Sequence, residues 1–287
     1  MPGRLFVVAT PIGNLEDMTY RAVRVLGEVD VIAAEDTRRT SKLLAHYDIR
    51  RALVSLREHN ETRETPRLIE RLKAGESVAL VTDAGTPGIA DPGARLVAAV
   101  RIAGIAIVPI PGPNAIAAAL SVSGASADSF VFLGFPPSSG QAREEWVATV
   151  QHDPRLIVFF ESPHRISRTI RDIESVLVTR PIVVCRELTK INEEFVIRPI
   201  AASQSPLKER GEFTVVIYPR HDDGVNEVEI ESAIDMMGQI TQSGAIDDEL
   251  AIGLVSAYTN VSPRKLRTAV KKRRISVRRM QEQQSER

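Results

Sequence analysis

The sequence predicts an α/β protein with two domains and a helical C-terminal extension. Short apolar, β-branched runs alternate with helical patterns through the first half, as expected of a mainly parallel sheet covered by helices. A Pro/Ser/Gly-rich stretch at 134–140 breaks that rhythm, and beyond residue 221 the pattern is helical only. We therefore predict domains at 1–134 and 135–221, followed by an extension at 222–287.

The predicted elements follow one another in a regular order. Each strand is a short apolar run that ends near turn-forming residues, and the helix at 65–74 shows the spacing of one amphipathic face. First-half strands are predicted at 5–9, 30–34, 77–81, 105–108 and 130–133, and helices at 19–27, 38–46, 65–74, 92–103 and 114–123. In the second domain we predict strands at 156–160, 182–185, 193–197 and 213–218, with antiparallel pairs, and a helix at 164–177.

Composition indicates a chain that can form apolar cores. It has 287 residues, of which 43% are hydrophobic, and 37 basic residues balance 37 acidic ones. A net charge of zero is not expected of a protein that simply coats RNA. No apolar stretch approaches the roughly 20 residues that span a bilayer. The single cysteine, Cys185, excludes an intrachain disulfide, and we expect a cytoplasmic protein in which Cys185 is a buried apolar residue.

Three loops rich in proline and glycine directly follow predicted strands. They lie at 10–15, 83–93 and 109–114. Proline lacks a donor for strand pairing and glycine favours turns, so the chain must turn at these places. Ligands of parallel sheets bind at the carboxyl ends of strands. The repetition therefore favours a binding cleft over the alternative of three tight connections without a ligand.

Seven short motifs, three of which overlap these loops, occur along the chain. They are VATPIGNL (8–15), AAEDTR (33–38), EHNE (58–61), DAGTPGIADPG (83–93), PGPNA (111–115), FESPHR (160–165) and RELTK (186–190). In this order, from residue 4 to about 218, the sequence resembles the ribosomal RNA small subunit methyltransferase I family of the tetrapyrrole-methylase superfamily. The resemblance implies a tetrapyrrole-methylase-like fold with two α/β domains, which forms dimers and binds S-adenosylmethionine (S-adenosyl-L-methionine) in the cleft between them.

The resemblance also implies a reaction and a partner. Members methylate the ribose 2′-oxygen of a cytidine in the decoding region of small-subunit ribosomal RNA, so we expect that RNA or the assembled 30S subunit as the partner. Two alternatives stay open. One is a related methylase that acts on a small tetrapyrrole-like or protein acceptor, and the other is a catalytically silent RNA-binding module.

Residues of the loops are implied in holding the cofactor. By resemblance they are Pro11, Gly13, Asp83, Gly85, Thr86, Pro87, Asn114 and Ala115. Main-chain groups of glycine-rich loops can approach a compact ligand closely, and a carboxylate can hold its ammonium group. Helix capping is the alternative role for Asp83, and turn geometry alone is the alternative for the glycines.

Methylation of a ribose hydroxyl requires that its proton leaves. Candidate bases at predicted strand ends or adjacent loops are Glu35, Asp36, Glu58, His59, Glu161, His164 and Glu187. We favour Glu161 and His164 as catalytic residues because they follow the first long strand of the second domain. Capping is the alternative for Glu35 and Asp36, and a helix N-terminal position is the alternative for His164. The five histidines lack paired ligand spacing, so we expect no metal.

Basic residues are candidates for phosphate contacts. Five lie in the motifs: Arg38, Arg39, Arg165, Arg186 and Lys190. Surface ion pairs are the alternative role for the arginines. The extension contains nine further basic residues and no acidic one at 264–279, which favours a helix that contacts RNA. Neutralisation of the acidic segment that precedes it is the alternative.

Overall fold

The computed structural model describes residues 3–177, 180–198, 207–220, 227–242, 246–259 and 261–285 of the protein. The chain divides into two compact units. The first is Met1–Ala118 with Leu188–Ile191, and the second is Ala119–Glu187 with Asn192–Arg287. The short segment from the RELTK motif thus belongs to the first unit. The domain limits at 134 and 221 remain predictions.

The first unit is built on a parallel sheet of five strands. They are β1 (Arg4–Val8), β2 (Val31–Ala34), β3 (Ala52–Ser55), β4 (Val78–Val81) and β5 (Ala106–Ile110), in the order β3-β2-β4-β1-β5. Four of these strands were predicted from the sequence. The fifth, β3, was missed because it is a short edge strand, exposed or only half-buried, without a long apolar run.

Helices cover both faces of this sheet. They are α1 (Tyr20–Glu28), α2 (Thr37–His46), α3 (Glu61–Lys73) and α4 (Ala94–Ile102), and α5 (Ala115–Ser123) follows β5 in the chain. Alternate strand residues enter different cores: Ile32 packs with Leu26 and Leu44, whereas Val31 packs with Leu68 and Leu96. Burial on both faces explains why the strands read as continuous apolar runs rather than alternating ones.

The second unit contains a mixed sheet. Its strands are β6 (Phe130–Phe132), β7 (Leu156–Glu161), β8 (Ile182–Arg186), β9 (Glu194–Arg198) and β10 (Phe213–Ile217), in the order β6-β7-β10-β8-β9. Strands β6 and β7 are parallel and the other pairs are antiparallel. The predicted antiparallel pairs are therefore confirmed. Cys185 is buried in β8 as expected, and burial raises the pKa of its thiol to about 12.

Two helices accompany this sheet, α6 (Gln141–His152) and α7 (Ile166–Val176). The sequence predicted α7 but not α6. The buried face of α6 consists of Arg143, Trp146 and Val150. A buried arginine interrupts what would otherwise be a recognisable apolar stripe, because charged residues normally indicate an exposed position.

The extension is helical, as predicted. It comprises α8 (Glu227–Thr241), α9 (Asp248–Thr259) and α10 (Pro263–Ser285), which share an apolar core that includes Met237, Val255 and Leu266. Helix α10 begins at Pro263, directly after Ser262, whose hydroxyl accepts a hydrogen bond from the Lys265 amide at 3.3 Å. Among the described helices, none is long and apolar enough to cross a membrane.

A buried arginine ties together the second unit. The Arg180 guanidinium donates to the main-chain oxygens of Val150, Asp153, Arg155 and Tyr218 at 2.6–3.0 Å. Burial lowers the pKa of Arg180 to about 10. We expect Arg180→Met to lower the free energy of unfolding by about 3 kcal/mol, because the substitution leaves buried carbonyl groups without donors.

Urea denaturation at pH 7 measures this effect. Arg171→Met is the matched control, since Arg171 is exposed on α7, and its cost should stay below about 0.5 kcal/mol. Equal stabilities of the two variants would contradict the structural role of Arg180.

Candidate functional site

The three Pro/Gly loops of the first unit meet at the carboxyl edge of the parallel sheet. The Thr10 amide donates to the Gly85 carbonyl at 2.9 Å, and the Gly85 amide donates back to the Thr10 carbonyl at 3.0 Å. The Thr86 hydroxyl donates to the Pro113 carbonyl at 3.2 Å. The loops after β1, β4 and β5 are thus joined to one another by hydrogen bonds, and a binding cleft at this edge remains a prediction.

Two glycines of these loops serve different needs. Gly85 has φ +80°, a conformation that side-chain-bearing residues rarely adopt. Gly13 lies against the RELTK segment, and a Cβ there would be 2.4 Å from the Lys190 Cγ atom. The Asn14 amide also donates to the Thr189 hydroxyl at 3.0 Å. Close packing therefore explains Gly13 without a ligand, and its cofactor role remains a prediction.

Asp83 bridges two strand ends. One carboxylate oxygen accepts a hydrogen bond from the Asp36 amide at 3.0 Å, and the other lies 3.2 Å from the Arg39 Nη1 atom. Asp36 itself caps α2 by accepting from the amides of Arg38 and Arg39, and these bonds lower its pKa. The capping alternative for Asp36 is therefore confirmed, and Arg39 is an ion-pair partner within the site.

Two carboxyl groups at the same edge have raised pKa values. The Glu35 carboxylate accepts a 3.4 Å hydrogen bond from the Asp83 amide, and burial raises its pKa. Burial and the charges of Glu35 and Asp83 raise the pKa of Asp91 to about 7, although a hydrogen bond with Thr82 acts in the opposite direction. Sequence reasoning missed Asp91, but its position as the second aspartate of the DAGTPGIADPG motif was a usable signal.

Other motif residues cap helices. The Glu61 carboxylate accepts from the amides of Gly93, Arg95 and Leu96 at 3.0–3.2 Å, which fixes the end of the DAGTPGIADPG loop to α3. The Asn114 side-chain oxygen accepts from the amides of Ile116 and Ala117 at the start of α5. Ala115 is the first residue of that helix. Asn114 retains its side-chain amide group for another partner.

The remaining predicted residues of the first unit differ in accessibility. Pro11 and Pro87 are buried within their loops, whereas Glu58 and His59 are exposed. Among the described residues, no group of three or more histidine, cysteine or acidic side chains is arranged to hold a metal ion.

In the second unit, Glu161 is the centre of a buried network. Its carboxylate accepts from the Thr169 hydroxyl at 2.6 Å and the Ser162 amide at 2.7 Å, and it forms an ion pair with Arg165 at 2.7 Å. Its side chain has 0% exposed surface. These contacts give Glu161 a structural role at the start of α7. Its part in catalysis remains a prediction.

His164 and the basic residues of the second unit are placed differently. His164 is exposed in the turn between β7 and α7. Arg186 is mostly buried and lies 2.8 Å from the Glu194 carboxylate, whose pKa its hydrogen bond lowers. Glu187 accepts from the Glu212 amide at 3.0 Å. Of these residues, His164 is therefore the most accessible to a substrate, while Arg186 has an internal partner.

Comparison with known proteins assigns the family. Residues 4–204 match the family described as Tetrapyrrole (Corrin/Porphyrin) Methylases. Ribosomal RNA small subunit methyltransferase I of Xylella fastidiosa is 45% identical over 233 residues, which are 79% of this chain and 85% of that protein. The protein of the same name from Neisseria meningitidis serogroup B is 44% identical, over 83% and 84% of the two chains.

Solved structures agree on the fold. The crystal structure of the methyltransferase CobJ has a TM-score of 0.58 at 18% identity and covers 78% of this chain and 97% of its own. The chain therefore belongs to the tetrapyrrole methylase family, in the branch of the ribosomal RNA small subunit methyltransferase I proteins. The family inferred from the seven motifs is confirmed, and with it the classification as a methyltransferase.

The raised pKa of Asp91 predicts a pH-dependent stability. An aspartate whose pKa is higher in the folded than in the unfolded state stabilises the fold below pH about 4, and this contribution is lost as the pH rises to about 7. Asp91→Asn removes the effect. Relative to the wild type, the variant should gain about 1 kcal/mol between pH 4 and pH 7, a value reduced for solvent screening.

Urea denaturation across that pH range measures the difference. Asp36→Asn is the control, because the pKa of Asp36 is lowered and its contribution changes only below about pH 4. A flat difference for Asp91→Asn between pH 4 and pH 7 would show that Asp91 ionises normally.

Proposed function

We propose that this protein transfers a methyl group from S-adenosylmethionine to the ribose 2′-oxygen of a cytidine in the decoding region of small-subunit ribosomal RNA. The observation that carries the proposal is the set of three hydrogen-bonded Pro/Gly loops at the carboxyl edge of the parallel sheet, in a chain of this family. The reaction takes place in the cytoplasm, and the enzyme acts as a homodimer.

The donor fits the chemistry of the loop edge. S-adenosylmethionine supplies an activated methyl group on a sulfonium and carries an ammonium group. The Asp83 carboxylate, which is partly exposed and already oriented by the Asp36 amide, holds that ammonium. The main chain around Gly85, Thr86 and Pro87 lines the donor. Asn114 and Ala115, at the first turn of α5, add an amide side chain and main-chain groups.

Alignment of the acceptor supplies much of the rate in such a transfer. The proton of the ribose hydroxyl must still leave, and the exposed imidazole of His164 is the proposed acceptor. Glu161 acts indirectly, because its contacts with Ser162 and Arg165 fix the turn that carries His164. Arg165 is partly exposed and is the proposed phosphate contact in this turn.

Helix α10 favours RNA over a small acceptor. Three of its arginines are ion-paired with the acidic helices of the bundle: Arg267 with Glu249, Arg273 with Asp235 and Arg274 with Asp248. Other basic side chains of α10, Arg264, Lys271 and Lys272, are exposed. Ion pairs within the extension thus account for three of these arginines, and we propose that Arg264, Lys271 and Lys272 contact phosphates.

The function is tested by methyl transfer in vitro. Purified protein, radiolabelled S-adenosylmethionine and isolated small subunits should give one labelled nucleotide, which mass spectrometry of nuclease digests identifies as a cytidine methylated on its ribose. Asp83→Ala should bind S-adenosylmethionine at least tenfold more weakly. Label in a base or in protein would overturn the proposed acceptor. Donor binding without transfer to any ribosomal substrate would favour a silent RNA-binding module.

Lysines of α10 should determine the salt dependence of RNA binding. We expect Lys271→Gln with Lys272→Gln to weaken binding to small subunits and to reduce the slope of log affinity against log salt by up to about 2, because each lysine neutralises about one phosphate.

Arg267→Gln is the control, since Arg267 pairs with Glu249 within the bundle. It should lower the thermal stability of the extension and leave the salt slope unchanged. An unchanged slope in the double lysine variant would show that this part of α10 does not contact RNA.

A further inference from the structure

An exposed aromatic ring stands in the loop that follows β6. Phe135 is 53% exposed and lies in the Pro/Ser/Gly-rich stretch at 134–140. A single exposed apolar side chain is common on protein surfaces and requires no explanation by itself. Phe135 differs because the main chain on both sides of it is held in place.

Hydrogen bonds to main-chain carbonyls fix the loop at three residues. The Gly134 carbonyl accepts from the Phe160 amide at 2.9 Å. The Pro136 carbonyl accepts from Arg165 at 3.0 Å, and the Pro137 carbonyl accepts from Arg143 at 2.9 Å. The two prolines further restrict the backbone. The position of the ring is therefore set before any partner arrives, which lowers the entropic cost of binding.

One side of the ring is supported by other aromatic residues. The Phe135 and Phe160 ring centroids are 5.6 Å apart, and the Phe160 and Phe132 centroids are 4.9 Å apart. Phe132 and Phe160 are only partly exposed. One side of the Phe135 ring therefore contacts a ring that is itself packed against the protein. More than half of the surface of Phe135 remains available to solvent.

Three arginines contact the loop that carries this ring. The arginines that hold the loop, Arg143 and Arg165, are joined by Arg168, which donates to the Ser138 carbonyl at 3.5 Å and is well exposed. Two carboxylates, Glu161 and Asp172, pair with these three guanidinium groups. The cluster thus has an excess of one positive charge. Aromatic rings beside cationic groups are the elements with which proteins bind unpaired nucleotides.

We propose that Phe135 is a stacking platform for an unpaired nucleobase of the RNA substrate. The inference deepens the proposed function and rests on it for the identity of the substrate. Stacking of a base on an aromatic side chain changes the affinity roughly 5- to 150-fold. Arg165 and Arg168 contact the phosphates that flank the stacked base.

The test uses the full-length protein and a single-stranded RNA that carries 2-aminopurine, whose fluorescence is quenched by stacking. Phe135→Leu keeps an apolar side chain and removes the ring face, and Phe135→Trp restores one. Phe130→Leu is the matched control, because Phe130 is also exposed, at 42%, at the other end of β6. Far-UV circular dichroism and urea midpoints verify that all variants fold.

We expect Phe135→Leu to weaken RNA binding about tenfold, to abolish quenching and to leave S-adenosylmethionine affinity unchanged, with recovery in Phe135→Trp and no effect in Phe130→Leu. Wild-type affinity of Phe135→Leu would overturn the platform. A change in sedimentation mass together with the loss of RNA binding would overturn it in favour of a contact between protein chains. Quenching by a wild-type protein that methylates no RNA would reject the proposed reaction and keep the platform.

Discussion

The reciprocal hydrogen bonds between Thr10 and Gly85 are the constraint on which the loop edge of the first unit depends. Strand β1 lies between β4 and β5 in the sheet, so a bond from its loop to the loop after β4 fixes the middle of the edge. The contact from Thr86 to Pro113 then fixes the neighbouring loop. With these bonds in place, the loops form one surface whose main chain can face a ligand.

Side chains that satisfy main-chain groups shape both units. In the first, Glu61, Asp36 and Asn114 accept hydrogen bonds from the amides of helix N-termini. In the second, Arg143 and Arg180 donate to buried or partly buried carbonyls. Burial of an unsatisfied main-chain group is costly. Several residues of the characteristic motifs therefore have structural roles, so a loss of activity on substitution does not by itself identify a residue of the site.

Acidic and basic side chains are concentrated in different parts of the chain, although its net charge is zero. The loop edge concentrates carboxyl groups, of which Asp91 and Glu35 have raised pKa values. The extension uses part of its basic charge internally, as in the pair of Arg267 with Glu249, and presents Lys271 and Lys272 to solvent. The proposed donor site and the proposed RNA contacts thus lie in different parts of one neutral chain.

The sequence by itself determined the family, the alternation of strands and helices in the first half, and the three loops that end strands, because apolar periodicity, proline and glycine act locally. It missed β3 and α6, whose patterns are short or interrupted by Arg143. Only the tertiary structure decided that Glu161 is enclosed by Thr169 and Arg165 and that Asp91 protonates near neutral pH. Burial and pKa depend on groups that are distant in sequence, so no local pattern can supply them.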